Sequence, residues 1–198
     1  GVKYSEAYTD PAAEVRTYGI AAGYGRPPEG YDGPRSIVEF LTTLKKQGEH
    51  GAAFAYKTCN TEVLAWLVQR VTGKAMAQLV SDRIWQKIGA EEDAYLIVDP
   101  TGMAACGGGM NVALRDLARL GEMMRNRGAF NGRQVAPAAV VDDISGGARK
   151  EDFAKAGYTT MTGWSYRNQW WVSTMNWARS RRVASMDRCA GSRRRPSW

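Results

Sequence analysis

A serine nucleophile needs a partner that takes its proton, and the residue types in this chain restrict which partners are possible. His50 is the only histidine, so no Ser-His-Asp triad can be completed, and it stands in a Gly-rich stretch. A lysine can replace histidine in a Ser-x-x-Lys box. No such box occurs; the nearest pattern, Thr42-Thr43-Leu44-Lys45, lies 14 residues before Tyr56. Gly73-Lys74 lacks the Ser or Thr and the glycine spacing of a phosphate loop, so it reads as the end of a helix. Gly107-Gly108-Gly109 precedes a helical pattern and could cradle an anion on backbone N–H groups, or serve as a tight turn. Cys59, Cys106 and Cys189 have no C-x-x-C spacing, which argues against a zinc cluster and a disulfide framework. Tyr56 stands just ahead of a helical run. A phenol titrates near pH ~10 and relays protons when an ammonium lies close. Read alone, it is a structural residue.

The elements that must hold these residues follow from periodicity. Residues 1–35 read as loop, punctuated by Tyr, Gly and Pro. A helix is predicted over 36–46, capped by Ser36, with Ile37, Phe40, Leu41 and Leu44 on one face. Asn60 or Thr61 can cap the next, which carries Val63, Leu64, Leu67, Val68 and Val71 and stops at Gly73. Further helices are expected over 76–87, over 112–126 and from Pro137 to about Ile144. Residues 94–98 and 163–172 read as strands, the aromatic 164–171 stretch as strand core rather than a base-stacking surface, and Asn131-Gly132 as a hairpin turn.

The 198 residues suit one domain or two small ones, with 44% hydrophobic and 24% charged side chains. The net charge of +7 is unevenly placed. Residues 178–198 hold seven arginines against Asp187, whereas the other 177 residues hold 20 bases and 19 acids. The basicity therefore belongs to the tail, and no nucleic-acid-binding motif accompanies it. No run approaches the ~18 apolar residues of a membrane span.

The stretch from Phe54 to Leu64, with Tyr56-Lys57-Thr58 at its centre, continues into Val71-Thr72-Gly73-Lys74 and Ile84-Trp85. It resembles the second active-site box of the serine beta-lactamase-like family, which includes penicillin-binding proteins, class C beta-lactamases and related esterases. Residues 4–11, Glu39–Leu44, Asp116-Leu117-Ala118-Arg119 and Gln169-Trp170-Trp171 support the likeness in order and spacing, nearest the nylon-oligomer hydrolase branch. The resemblance covers essentially residues 1–172. It implies an α+β fold of the beta-lactamase/transpeptidase type, here incomplete: most of the helical domain and the start of the α/β domain. It also implies an acyl-enzyme hydrolase of linear amides (6-aminohexanoate-type oligomers) or short esters, with no metal and no cofactor. Tyr56 takes the place of the catalytic tyrosine. Tyr8, Tyr24, Thr58 and Gly107 fall at substrate-binding positions; Thr58 replaces the Asn of Y-x-N, which puts lactam turnover in doubt.

The serine box of such enzymes stands upstream of this tyrosine, so the chain is expected to begin after the nucleophile and to be inactive as it stands. After Val172 the likeness stops. In the frame starting at each codon's third base, Met175-Asn176 forces Glu, Asn176-Trp177 forces Leu, and Trp177-Ala178 and Met186-Asp187 force Gly. Permitted wobble choices then let Ser173–Arg188 read as a segment ending His-Gly-Gln, similar to the family's third box. Two parts are therefore expected: a partial hydrolase domain over 1–172, and a basic tail over 173–198 read as a frameshift product. The expected partner is a small amide or ester, with neither membrane nor nucleic acid engaged, and the cysteine usage points to the cytoplasm. Two other classes remain, a non-catalytic binding module and a nucleic-acid binder using the tail.

Overall fold

Val15, Tyr18 and Ala21 recur at three-residue intervals, and in the computed structural model that spacing forms a helix in the segment expected to be loop. The structure describes residues 1–173; the arginine-rich residues 178–198 and the reading of 174–198 as frame-shifted lie outside them. This first helix, α1 (Glu14–Ala21), contains Gly19 and has no side-chain cap, so its own signals are weak. Burial of its apolar edge against α2 (Ile37–Thr43) stabilises it. In α2 Ser36 accepts from the Glu39 N–H at 3.2 Å, as its sequence position predicts, and Ile37 and Phe40 are fully buried.

α3 (Thr58–Thr72) begins earlier than an Asn60 or Thr61 cap would set, with Lys57 in the flanking position and no side-chain cap. It ends on Gly73 in the left-handed region (φ 67°), a conformation glycine adopts without a Cβ penalty. Its apolar residues are not its buried side. Val63, Leu64, Leu67, Val68 and Val71 are exposed, Val71 at 85%, while Thr58, Cys59, Glu62 and Ala65 are buried.

The expected helix over 76–87 divides into α4 (Met76–Val80) and a π-helical turn over Ser81–Trp85. β1 (Tyr95–Leu96) pairs antiparallel with β2 (Met110–Asn111), which leads to α5 (Leu114–Arg125). β3 (Ala129–Phe130) and β4 (Arg133–Gln134) form the predicted hairpin, with Asn131 and Gly132 both at positive φ. α6 (Ala138–Gly146) follows Pro137, and the short α7 (Lys150–Ala154) was not expected. The 163–172 segment is not one strand. Asn168 and Gln169 take positive φ and fold it into a hairpin of β5 (Ser165–Arg167) and β6 (Trp170–Val172).

Two apolar clusters hold these elements. One joins α1, α2, the start of α3 and Met103 and Ala105. The other gathers Trp85, Ile88, Met123, Met124, Val141 and Ile144. The Asp116–Arg119 stretch acts as a clamp. Asp116, fully buried, accepts from the Glu91 and Glu92 N–H groups at 2.9 and 3.1 Å and from Arg119 at 2.7 Å. The mixed helix-and-hairpin architecture is that of an incomplete α+β domain. Among the described residues no helix is long and apolar enough to cross a membrane, and no His/Cys/Asp/Glu group is placed to hold a metal ion.

Candidate active site

Residues 54–57, outside any helix or strand and ending on an extended Lys57, carry Tyr56 into the N-terminus of α3. The first turn of a helix has N–H groups without intrahelical acceptors, and a carboxylate there is favourable. Glu6 fills that role: one oxygen accepts from the Thr58 N–H at 2.6 Å, the other from the Tyr8 hydroxyl at 2.9 Å. Lys57 donates to the Val2 and Tyr4 carbonyls at 2.6 and 3.0 Å. The amino-terminal segment is thus tied to both residues that follow Tyr56. Between these ties, Tyr4 is buried, and burial raises its phenol above the usual range, with Glu6 adding to the effect.

A cavity of about 750 Å³ opens beside this junction, within the size range of small-molecule sites. Tyr8, Tyr24, Thr58 and Gly107 all line it, although they are far apart in sequence. Tyr18 lines it too, with its ring edge-on to Tyr24 at 5.9 Å.

Glu62 fixes the cavity's inner wall. Fully buried on α3, it accepts from the Tyr18 hydroxyl at 2.5 Å, the Gly107 N–H at 2.7 Å and the Cys106 N–H at 3.2 Å. One carboxylate so joins α1, α3 and the glycine loop. Burial, then the Glu62 carboxylate, raise the Tyr18 phenol far above its ordinary value; burial also raises Tyr24. Both are therefore protonated donors near neutral pH. The loop comes so close that a Cβ on Gly107 would lie 2.4 Å from the Thr58 methyl and 3.0 Å from the Glu62 carboxylate. Cys106, beside it, is a free thiol raised to about 12 by burial and then Glu62.

Tyr56 is not part of that lining. Its ring stacks on Trp171 at 5.5 Å and meets Tyr166 edge-on at 5.9 Å, in an aromatic group with Phe54, Phe153 and Tyr158. Thr58, two residues on, is its link to the cavity. Sequence reasoning missed Tyr18, Glu62 and the two cavity arginines, Arg16 and Arg26. A signal for Glu62 existed: an acid at the i+4 position from Thr58, on the helix face that also holds Ala65.

The family described as Beta-lactamase matches residues 16–182. The 6-aminohexanoate-dimer hydrolase of Paenarthrobacter ureafaciens is 39% identical over 173 residues, 87% of this chain and 43% of that protein. A solved Bacillus anthracis structure, provisionally named a 6-aminohexanoate-dimer hydrolase, superimposes with a TM-score of 0.77 at 34% identity. That match covers 89% of this chain and 45% of the other. The chain therefore spans less than half the length of these relatives.

Proposed function

The chain belongs to the beta-lactamase family, and from that premise we propose that it is the tyrosine-bearing part of a serine hydrolase of linear amides, 6-aminohexanoate oligomers or short esters. In this reading a serine attacks the carbonyl and forms an acyl-enzyme, and its lysine takes the proton. Tyr56 shares that proton and hands it to the leaving nitrogen. Tyr8, Tyr24, Thr58 and Gly107 hold the substrate chain. Chemistry that needs no metal or cofactor, in the cytoplasm, belongs to the same proposal.

The observation that supports it is that one cavity is lined by residues from four separate parts of the sequence, among them Thr58, two residues along the chain from Tyr56. A Ser-x-x-Lys box is absent from the 198 residues, so the chain alone is inactive. A fluorophosphonate probe is expected to leave this chain unlabelled, and a stoichiometric serine adduct would overturn that part. The hydrolase assignment is tested by joining the relative's Ser-x-x-Lys-bearing segment to this chain and measuring amine release from the 6-aminohexanoate dimer. Hydrolysis that falls at least about 100-fold with Tyr56→Phe is expected, within the range of a general acid–base group. A folded chimera whose turnover ignores Tyr56→Phe would refute the role. Because the cavity is present without a nucleophile, binding without turnover is the second reading.

A further inference from the structure

We propose that Arg16 and Arg26 make one part of the cavity an anion-receiving subsite, so that the linear amide or ester it takes carries a carboxylate. This rests on the reading of the cavity as the substrate site. Both arginines line the cavity, Arg16 from α1 and Arg26 from the loop after it. No Asp or Glu lines the cavity. Neither guanidinium has an ion-pair or hydrogen-bond partner among the described residues.

Three carboxylates next to the cavity are already engaged, while Glu29, in the loop that carries Arg26, is exposed and pairs with neither arginine. Glu6 holds the Thr58 N–H and the Tyr8 hydroxyl. Glu14 holds the Ser5 N–H at 2.9 Å and pairs with Lys3 at 3.8 Å. Glu62 holds Tyr18 and the glycine loop. The rest of the lining complements a methylene chain ending in a charge. Pro11, Val15, Ile20 and Pro28 offer apolar surface, and the Tyr24 hydroxyl, unlike those of Tyr8 and Tyr18, keeps its donor for an amide carbonyl. A guanidinium presents a planar fork of N–H donors that matches a carboxylate. With no acidic lining, the cavity has nothing to pair with an ammonium end.

The test uses the full 198-residue chain and ligand-observed NMR titration. The probes are N-acetyl-6-aminohexanoate and its uncharged N-methylamide. The carboxylate is expected to bind at least about tenfold more tightly, a factor that corresponds to about 1.4 kcal/mol. The Arg16→Gln/Arg26→Gln double variant should bring that ratio below about twofold and leave the uncharged probe's Kd unchanged. Both positions are exposed, so the variant should fold; matched thermal unfolding checks this, with Arg26→Gln alone as the milder variant. Added salt should shrink the ratio in the unmodified chain only. Equal binding of the two probes would overturn the subsite and leave the cavity reading standing. A ratio that survives in the double variant would also overturn it, sending the anion elsewhere on the chain. Binding of neither probe to folded protein would overturn the cavity reading together with the subsite.

Discussion

Replacing Glu62 by leucine should strongly destabilise this domain, and the size of the effect follows from its three bonds. The side chain is fully buried and accepts from the Tyr18 hydroxyl, the Gly107 N–H and the Cys106 N–H. Leucine fills a similar space and leaves those three donors without an acceptor. Each orphaned buried donor costs about 1–3 kcal/mol, which sets a range of roughly 3–9 kcal/mol. Removing the buried polar side chain returns its own desolvation cost, placing the expectation near about 4 kcal/mol. Domains hold about 5–15 kcal/mol in total, so roughly a quarter to four-fifths of the stability margin would go. Tyr18→Phe removes one donor and keeps the two backbone bonds, so it should cost about 1.5–3 kcal/mol. Urea unfolding of the chain, followed by tryptophan fluorescence and far-UV circular dichroism, reads both. A Glu62→Leu loss below about 1 kcal/mol, at an unchanged denaturant slope, would show that this carboxylate does not hold the cavity wall together.

Three further outcomes follow from the same geometry. Gly107→Ala forces a methyl to within 2.4 Å of the Thr58 side chain. It should cost about 1–3 kcal/mol in urea unfolding, as overpacking does, and weaken ligand binding in the cavity. Burial alone would raise the Asp99 carboxyl, but bonds from the Thr101 hydroxyl and from the Ile37, Met103 and Thr101 N–H groups outweigh it and hold the group low. A depressed carboxyl stabilises the fold above its unfolded value of about 3.9 and loses that contribution as pH falls through its folded value. Asp99→Asn should therefore be less stable near neutral pH and show a flatter stability profile below about pH 4. Burial raises the Cys59 thiol to about 11 and the Cys106 thiol to about 12. Mass-spectrometric mapping after iodoacetamide at pH 7.5 should find both labelled at least about 100-fold more slowly than an exposed cysteine, and quickly after denaturation. Rapid labelling at Cys59 or Cys106 in the native chain would refute the raised thiols, whatever happens at Cys189.

The exposed stripe Val63, Leu64, Leu67, Val68 and Val71 marks one limit of reading pattern as packing. Helical periodicity locates an apolar face from the chain's own residues, but burial depends on what lies opposite it. In α3 the opposite side is the one used, because it carries Glu62 to the glycine loop and Cys59 to the first core cluster. The 163–172 segment marks another. Its residues suit a strand, and only the left-handed pair Asn168-Gln169, with Arg167 and Asn168 bonded to Asp143, folds it into a hairpin that sets Trp171 against Tyr56.

What the sequence determined by itself is what neighbouring residues decide. Ser36 caps its helix, Gly73 stops another, Asn131-Gly132 turns a hairpin, and the order of short motifs marks the family. Each rests on interactions within a few residues, or on a pattern kept along the chain. Only the tertiary structure decided that α1 exists, that Tyr8, Tyr24, Thr58 and Gly107 share one cavity, and that Arg16 and Arg26 stand in its wall. Those outcomes depend on contacts across long separations, such as the 44 residues between Tyr18 and Glu62. A donor and acceptor so far apart leave no periodic trace in the sequence, and their pairing is set when α1, α3 and the glycine loop close on one core.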